Sequence, residues 1–193
     1  SSTEVFDYTG LNNGTITGAS YTSEGKLGGA MSFDGVDDYI KANTSKFNTD
    51  FTVSGWFYPK QSSPASANRN ILGLATNENG ASGQGYWVYQ DGSDNMIFFV
   101  DGLILYDCGQ DYEINAWNHI VITNKDDSFS CYVAGELVNE DMVTDSRWEN
   151  KTWVQFGARI VGGSQFWNGS IDDVMIFNRS LGAEEILSLY NST

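Results

Sequence analysis

The stretch "GKLGGAMSFDGVDDYI", residues 25–40, runs an alternating apolar segment straight into an acidic corner. Ala30, Met31, Ser32 and Phe33 alternate as a half-buried strand does, with successive side chains on opposite faces. Asp34-Gly35-Val36-Asp37-Asp38 then stops the strand, and Tyr39-Ile40 starts another. The corner is either a solvated turn or a carboxylate loop that holds a cation.

The same pattern recurs outward in both directions. Short apolar or alternating runs occur at residues 51–58, 70–76, 86–90, 96–100, 103–106, 118–124, 128–133, 136–139, 153–158 and 169–178, beside the pair at 30–33 and 39–42. Turn residues punctuate them: Asp91-Gly92-Ser93, Asp101-Gly102, Asn124-Lys125-Asp126-Asp127 and Ala134-Gly135 supply backbone positions that close hairpins. Residues 61–70, rich in Ser, Ala, Asn and Pro, read as a long surface loop. Only residues 181–191 read as helix, with Gly182 as N-cap, Glu184 and Glu185 at the positive helix start, and Ile186, Leu187 and Tyr190 on one face. A dozen antiparallel strands and one short C-terminal helix make an all-β, two-sheet sandwich.

Composition agrees. Aromatics make up 14 % of 193 residues, Pro occurs only twice, and 25 acids outnumber 10 bases for a net charge of -15. That charge repels phosphate backbones and anionic lipid, which argues against nucleic acid as a partner. No stretch reaches the ~20 apolar residues of a membrane span, so membrane insertion is not expected. The opening Ser-Ser-Thr-Glu-Val, without a Met, reads as a processed product or an excised domain. Asn-x-Ser/Thr sequons fall at Asn13, Asn43, Asn150, Asn168, Asn178 and Asn191, and Cys108 and Cys131 form an even pair compatible with one bridge. Together these point to an extracellular or cell-surface glycoprotein.

Three segments resemble a family. The first is residues 25–40 followed by Phe51-Thr52-Val53-Ser54-Gly55-Trp56-Phe57. The second is Trp117-Asn118-His119-Ile120-Val121-Ile122-Thr123 with Tyr132-Val133-Ala134-Gly135-Glu136. The third is Phe166-Trp167-Asn168-Gly169-Ser170-Ile171-Asp172-Asp173-Val174-Met175-Ile176-Phe177, ending in Glu184-Glu185-Ile186. In this order they resemble the laminin-G-like branch of the concanavalin A-like lectin/glucanase superfamily. Asp7-Tyr8-Thr9-Gly10-Leu11-Asn12-Asn13-Gly14-Thr15 is similar to an early Asp loop of that family. The resemblance implies a single jelly-roll domain over residues 1–193. It also implies a first strand before Asp7, for which this chain has only six residues, leaving Ser1 to Phe6 as a free tail and the edge of the last strand to be covered from outside.

The resemblance further implies a structural Ca²⁺ tying the early loop, the Asp-Gly corner and the final strand, with Asp7, Asn12, Asp34, Gly35 through its carbonyl, and Asp172 as ligands. Calcium takes six to eight oxygens, and carboxylates in flexible loops provide them. The other reading of these acids is that they cap turns and face water.

Catalysis finds little support in the residues. Glycoside cleavage needs two carboxylates about 5–9 Å apart, and the Glu-x-Asp-x-x-Glu run of glucanases in this superfamily does not occur. The one histidine, His119, reads as a hydrogen-bonded core residue. Among the aromatics, Trp148 in a polar stretch is the first candidate for stacking on a ligand, followed by Trp87 and Tyr89 on one strand face. The expectation is therefore a non-enzymatic extracellular recognition or adhesion module, binding a glycan or a cell-surface protein. The alternative is a self-assembling subunit of a filament or surface layer, completed by β-strand addition from a neighbour.

Overall fold

A computed structural model describes residues 3–44, 50–62, 68–76, 85–93, 95–100, 104–108, 113–142, 151–159 and 165–192. In chain order the strands are β1 (Glu4–Val5), β2 (Gly14–Thr17), β3 (Ser20–Thr22), β4 (Ala30–Asp34), β5 (Tyr39–Asn43), β6 (Phe51–Pro59), β7 (Arg69–Ala75) and β8 (Gly85–Gln90). They continue with β9 (Met96–Val100), β10 (Ile104–Asp107), β11 (Asn118–Lys125), β12 (Ser128–Val133), β13 (Glu136–Met142), β14 (Trp153–Phe156) and β15 (Asn168–Phe177), before helix α1 (Ala183–Asn191).

Among the described residues every strand pairing is antiparallel. Sheet A has the order β1-β2-β5-β14-β7-β8-β9-β10, and sheet B the order β13-β12-β11-β6-β15-β4-β3. Strand alternation sends one face of each sheet into a shared core of Phe33, Ile40, Phe51, Val53, Phe57, Ile71, Leu72, Leu74, Ile120, Ile122, Val154 and Trp167. The two-sheet sandwich with one short helix is thus as read from the sequence.

The hairpin turns follow local chemistry. Asp126 and Asp127 take φ of 48° and 64°, and Ala134 and Gly135 take 50° and 83°, the positive values that match the twist of two-residue hairpins. Across the sandwich, Cys108 just after β10 is bonded to Cys131 in β12, with Cα atoms 5.7 Å apart. The bridge therefore ties the far edge of sheet A to sheet B.

The helix packs on the outer face of sheet B. Ile186 and Leu181 bury against Val121 and Tyr132. The Glu185 carboxylate accepts the Gly182 N–H at 3.0 Å, which satisfies one of the donors left over at a helix start. Thr52 Oγ1 donates to the Arg179 carbonyl and accepts from the Leu181 N–H, fixing the chain where it leaves β15.

Three strands escape the sequence reading: β1, β2 and β3. They are short and largely polar, and their ladders form only because longer strands sit beside them. The expected free tail is one of them. Glu4 and Val5 pair with Thr15 and Gly14, and the Ile16 N–H donates to the Thr3 carbonyl at 2.9 Å. A donor segment for a neighbour is therefore already in use as a strand. The edge of the last strand, expected to be covered from outside the domain, is instead half covered by β4, which pairs with residues 168–171 of β15 and goes no further.

Candidate functional site: the outer face of sheet A

The acids singled out from the sequence lie at three separate corners. The loop from Asp7 to Asn13 enters β2 at Gly14, opposite Ala42, whereas the Asp34–Asp38 turn enters β5 at Tyr39, opposite Thr17. Three residues of ladder separate these ends, roughly 10 Å at strand rise. Along β15, Asn168 faces Asp34 and Asp172 lies four residues on, roughly 13 Å away. The cation set of Asp7, Asn12, Asp34, Gly35 and Asp172 is therefore not one site.

Each corner has its own work. The Asp7 carboxylate accepts from Thr9 Oγ1, from the Asn12 N–H at 3.2 Å and from Asn12 Nδ2 at 3.0 Å. These bonds, the Thr9 hydroxyl foremost, hold its pKa below the usual carboxylate value. Asp172 Oδ2 accepts the Leu27 N–H at 2.9 Å and so anchors the loop before β4. Asp34 Oδ1 accepts the Val36 N–H, and Asp38 Oδ2 accepts the Asp34 N–H, both at 2.8 Å. Among the described residues the acids that do come together are Asp34, Asp37 and Asp38. Asp38 is buried, and burial raises its pKa, with Asp34 and Asp37 adding to the rise.

His119 is a core residue, as expected. Its Nε2 lies 2.9 Å from Ser54 Oγ, both side chains are buried, and the ring sits 5.0 Å from Trp56 and 5.8 Å from Tyr190. Burial, aided by the Lys26 ammonium stacked over Trp56, lowers its pKa to about 4. The ring is neutral at pH 7, and its Nδ1 has no hydrogen-bond partner.

The sheet A face that points away from the core has a different character. Register places Thr15, Lys41, Gln155, Gly73 and Trp87 in one row across β2, β5, β14, β7 and β8. Tyr39 lies two positions from Lys41 on the same face of β5, and Trp153 two from Gln155 on β14. Tyr39, Lys41 and Trp153 are half-exposed, and the Lys41 ammonium lies 5.3 Å from the Tyr39 ring centre. Between them Gln155 is buried, 3 % exposed; its Nε2 donates to the Ala158 carbonyl at 3.2 Å, while its Oε1 is buried with no partner. An aromatic face beside an amide and an ammonium matches a sugar ring, which is apolar on its C–H faces and hydroxylated at its edge.

Of the expected ligand contacts, Trp87 falls within this row by its backbone position. Tyr89 shares the face but is buried with Ala75 and Ile97 in a small cluster of its own, so it is not a surface contact. Trp148 lies outside the described residues, as does the sequon at Asn150. Asn13, Asn43, Asn178 and Asn191 are exposed, whereas Asn168 donates its Nδ2 to the Asp34 carbonyl at 3.0 Å. Tyr39, Lys41, Trp153 and Gln155 were not singled out from the sequence. Their period-two spacing was legible, but which strands lie side by side was not.

A laminin-G family model of the concanavalin A-like lectin/glucanases superfamily matches residues 34–187. The chain belongs to that superfamily. Among curated proteins no sequence match is found. Of solved structures, the sialidase of Trypanosoma rangeli in complex with sialic acid is similar at 16 % identity and a TM-score of 0.78, over 100 % of this chain and 31 % of that one. Domain 4 of AbnA, an extracellular arabinanase of Geobacillus stearothermophilus in complex with arabinotriose, is similar at 19 % identity and a TM-score of 0.71, over 95 % of this chain and 91 % of that one. The chain thus spans less than a third of the sialidase.

At these identities the likeness is one of fold: a concanavalin A-like sandwich of the kind found in carbohydrate-binding and carbohydrate-processing proteins. It corrects one expectation. The residues point to a module that is no enzyme, yet structures of the same superfamily fold belong to a sialidase and to a domain of an arabinanase. The fold is one that enzymes carry, and the exclusion does not stand.

Proposed function

We propose that this superfamily member is an extracellular glycan-recognition module whose contact surface is the outer face of sheet A. The observation that carries the reading is the cluster of half-exposed Tyr39, Lys41 and Trp153 on one face of β5 and β14, over the buried Gln155 amide. Trp153 and Tyr39 supply ring faces. The arabinotriose complex of the arabinanase domain supports the substrate class, since that domain shares the fold over nearly its whole length. An exported address is supported by the disulfide and by the exposed sequons.

The test is titration of the protein with arabinotriose, sialic acid and a panel of neutral oligosaccharides, followed by tryptophan fluorescence. Binding to one class, weakened about tenfold by Trp153→Ala and by Tyr39→Ala, supports the reading. No binding to any of them, or binding indifferent to both substitutions, removes it.

Where a divalent cation binds this chain, we place it at the Asp34–Asp38 turn. Two of its three carboxylates already hold the turn together, so such a cation would brace the β4–β5 corner.

A further inference from the structure

Strand β15 lies in the middle of sheet B, yet only half of its outer edge has a neighbour. On one side β6 pairs with residues 169–172 and again, after a register shift, with residues 175–177. On the other side β4 pairs only with residues 168–171. Among the described residues no backbone–backbone bond reaches the outer side of residues 174–177. Strand geometry points alternate N–H and C=O groups to opposite edges, so at least one N–H among Met175, Ile176 and Phe177 faces this gap.

Burial changes at the same place. Gly169, Ser170 and Ile171, flanked by strands on both sides, are buried, whereas every residue from Asp172 to Phe177 is half-buried. Val174 and Ile176 face the core and still retain exposure; Met31 on β4 and Val5 and Ile16 on the first two strands are also only partly covered. The opening is thus an unpaired backbone ladder over incompletely covered core. A helix or a flat surface would leave the ladder unpaired. An extended chain satisfies both.

Charge sets the direction of preference. Asp172 and Asp173 stand at the start of the gap, where Asp173 adopts a φ of 45° and the ladder bulges. Burial and the neighbouring Asp172 raise the Asp173 pKa, so its negative charge is poorly compensated there. The N-terminal segment of a second copy is a poor occupant, because Glu4 and Val5 are held in β1 and Glu4 would add another negative charge.

We propose that the outer edge of residues 174–177 accepts a short apolar β-strand of another polypeptide, with a Lys or Arg beside Asp172 and Asp173. The incoming strand completes the ladder, covers Val174 and Ile176, and sets its cation against the two carboxylates.

The experiment adds the synthetic peptide Lys-Val-Thr-Val-Thr-Val, and its counterpart beginning with Glu, to the full chain. Amide hydrogen exchange and peptide affinity are read together. The expected result is slowed exchange of at least one amide at residues 175–177, and about tenfold tighter binding of the Lys peptide than of the Glu peptide. Asp173→Asn, which tolerates the same backbone conformation, should shrink that preference. Unchanged exchange with both peptides overturns the proposal. So does protection that grows with protein concentration alone, which would give the edge to a second copy.

Discussion

The imidazole Nε2 of His119 and the hydroxyl of Ser54 lie 2.9 Å apart at the centre of sheet B, on adjacent strands β11 and β6. With the ring wedged against Trp56 and Tyr190, this pair couples the sheet to α1. The ring is neutral in the fold, its pKa lowered from 6.5 to about 4.

A pH dependence follows with a definite sign. The unfolded ring takes up a proton below about 6.5 while the folded ring stays neutral until about 4. Its contribution to stability is therefore whole above the unfolded value and is lost as pH falls through that window. The full loss is at most about 3 kcal/mol. Melting curves from pH 7 to 4 should fall less steeply for His119→Gln than for the natural protein, although the variant starts lower. Parallel profiles would show that other groups govern the acid limb.

Gly18 turns the chain from sheet A to sheet B at a φ of 74°. A methyl group there would strike Asp38 Oδ1, and Asp38 is buried. Gly18→Ala should destabilise the fold by at least about 2 kcal/mol, from left-handed strain and the clash combined. Urea unfolding with an unchanged midpoint would show that the turn yields freely.

Reducing the Cys108–Cys131 bridge releases a constraint across 23 residues and two sheets. The expected cost is about 3 kcal/mol in the chain-entropy account, or a Tm lower by roughly 6–12 °C for a chain of this size. Melting the Cys108→Ser, Cys131→Ser double variant measures it. A shift below ~2 °C would mean that strand packing alone holds β10 and β12 in place.

Calcium discriminates among the acidic corners. Any rise in Tm with added calcium, reversed by chelator, should vanish in Asp37→Asn, because binding to the folded form alone stabilises it by mass action. Asp7→Asn and Asp172→Asn should keep that response, since their carboxylates serve hydrogen bonds elsewhere. A response lost in Asp172→Asn but kept in Asp37→Asn would contradict the placement.

Much of the fold was legible in residues 25–40 and their repeats, because period two is a local property and each strand carries its own. Residues 96–100 and 128–133 are strands with the expected bounds, and Gly182 with Glu185 started the helix where their chemistry placed it. The candidate site was less legible. Tyr39, Lys41, Trp153 and Gln155 sit in strands that were recognised, but they become one surface only once β5 and β14 are neighbours.

By itself the sequence determined the sandwich, the terminal helix and the cysteine pair, since alternation, turn residues and caps act over a few residues. Tertiary structure alone decided which strands lie side by side, and so which side chains share a face. It scattered Asp7, Asp34 and Asp172 to three corners, enlisted Thr3 to Val5 in sheet A, and left β15 paired on one edge for half its length. The physical reason is that ladder register is a long-range choice, set by which pairing buries the most apolar surface across the whole chain. Residues far apart in sequence carry no local mark of the partner that burial assigns them.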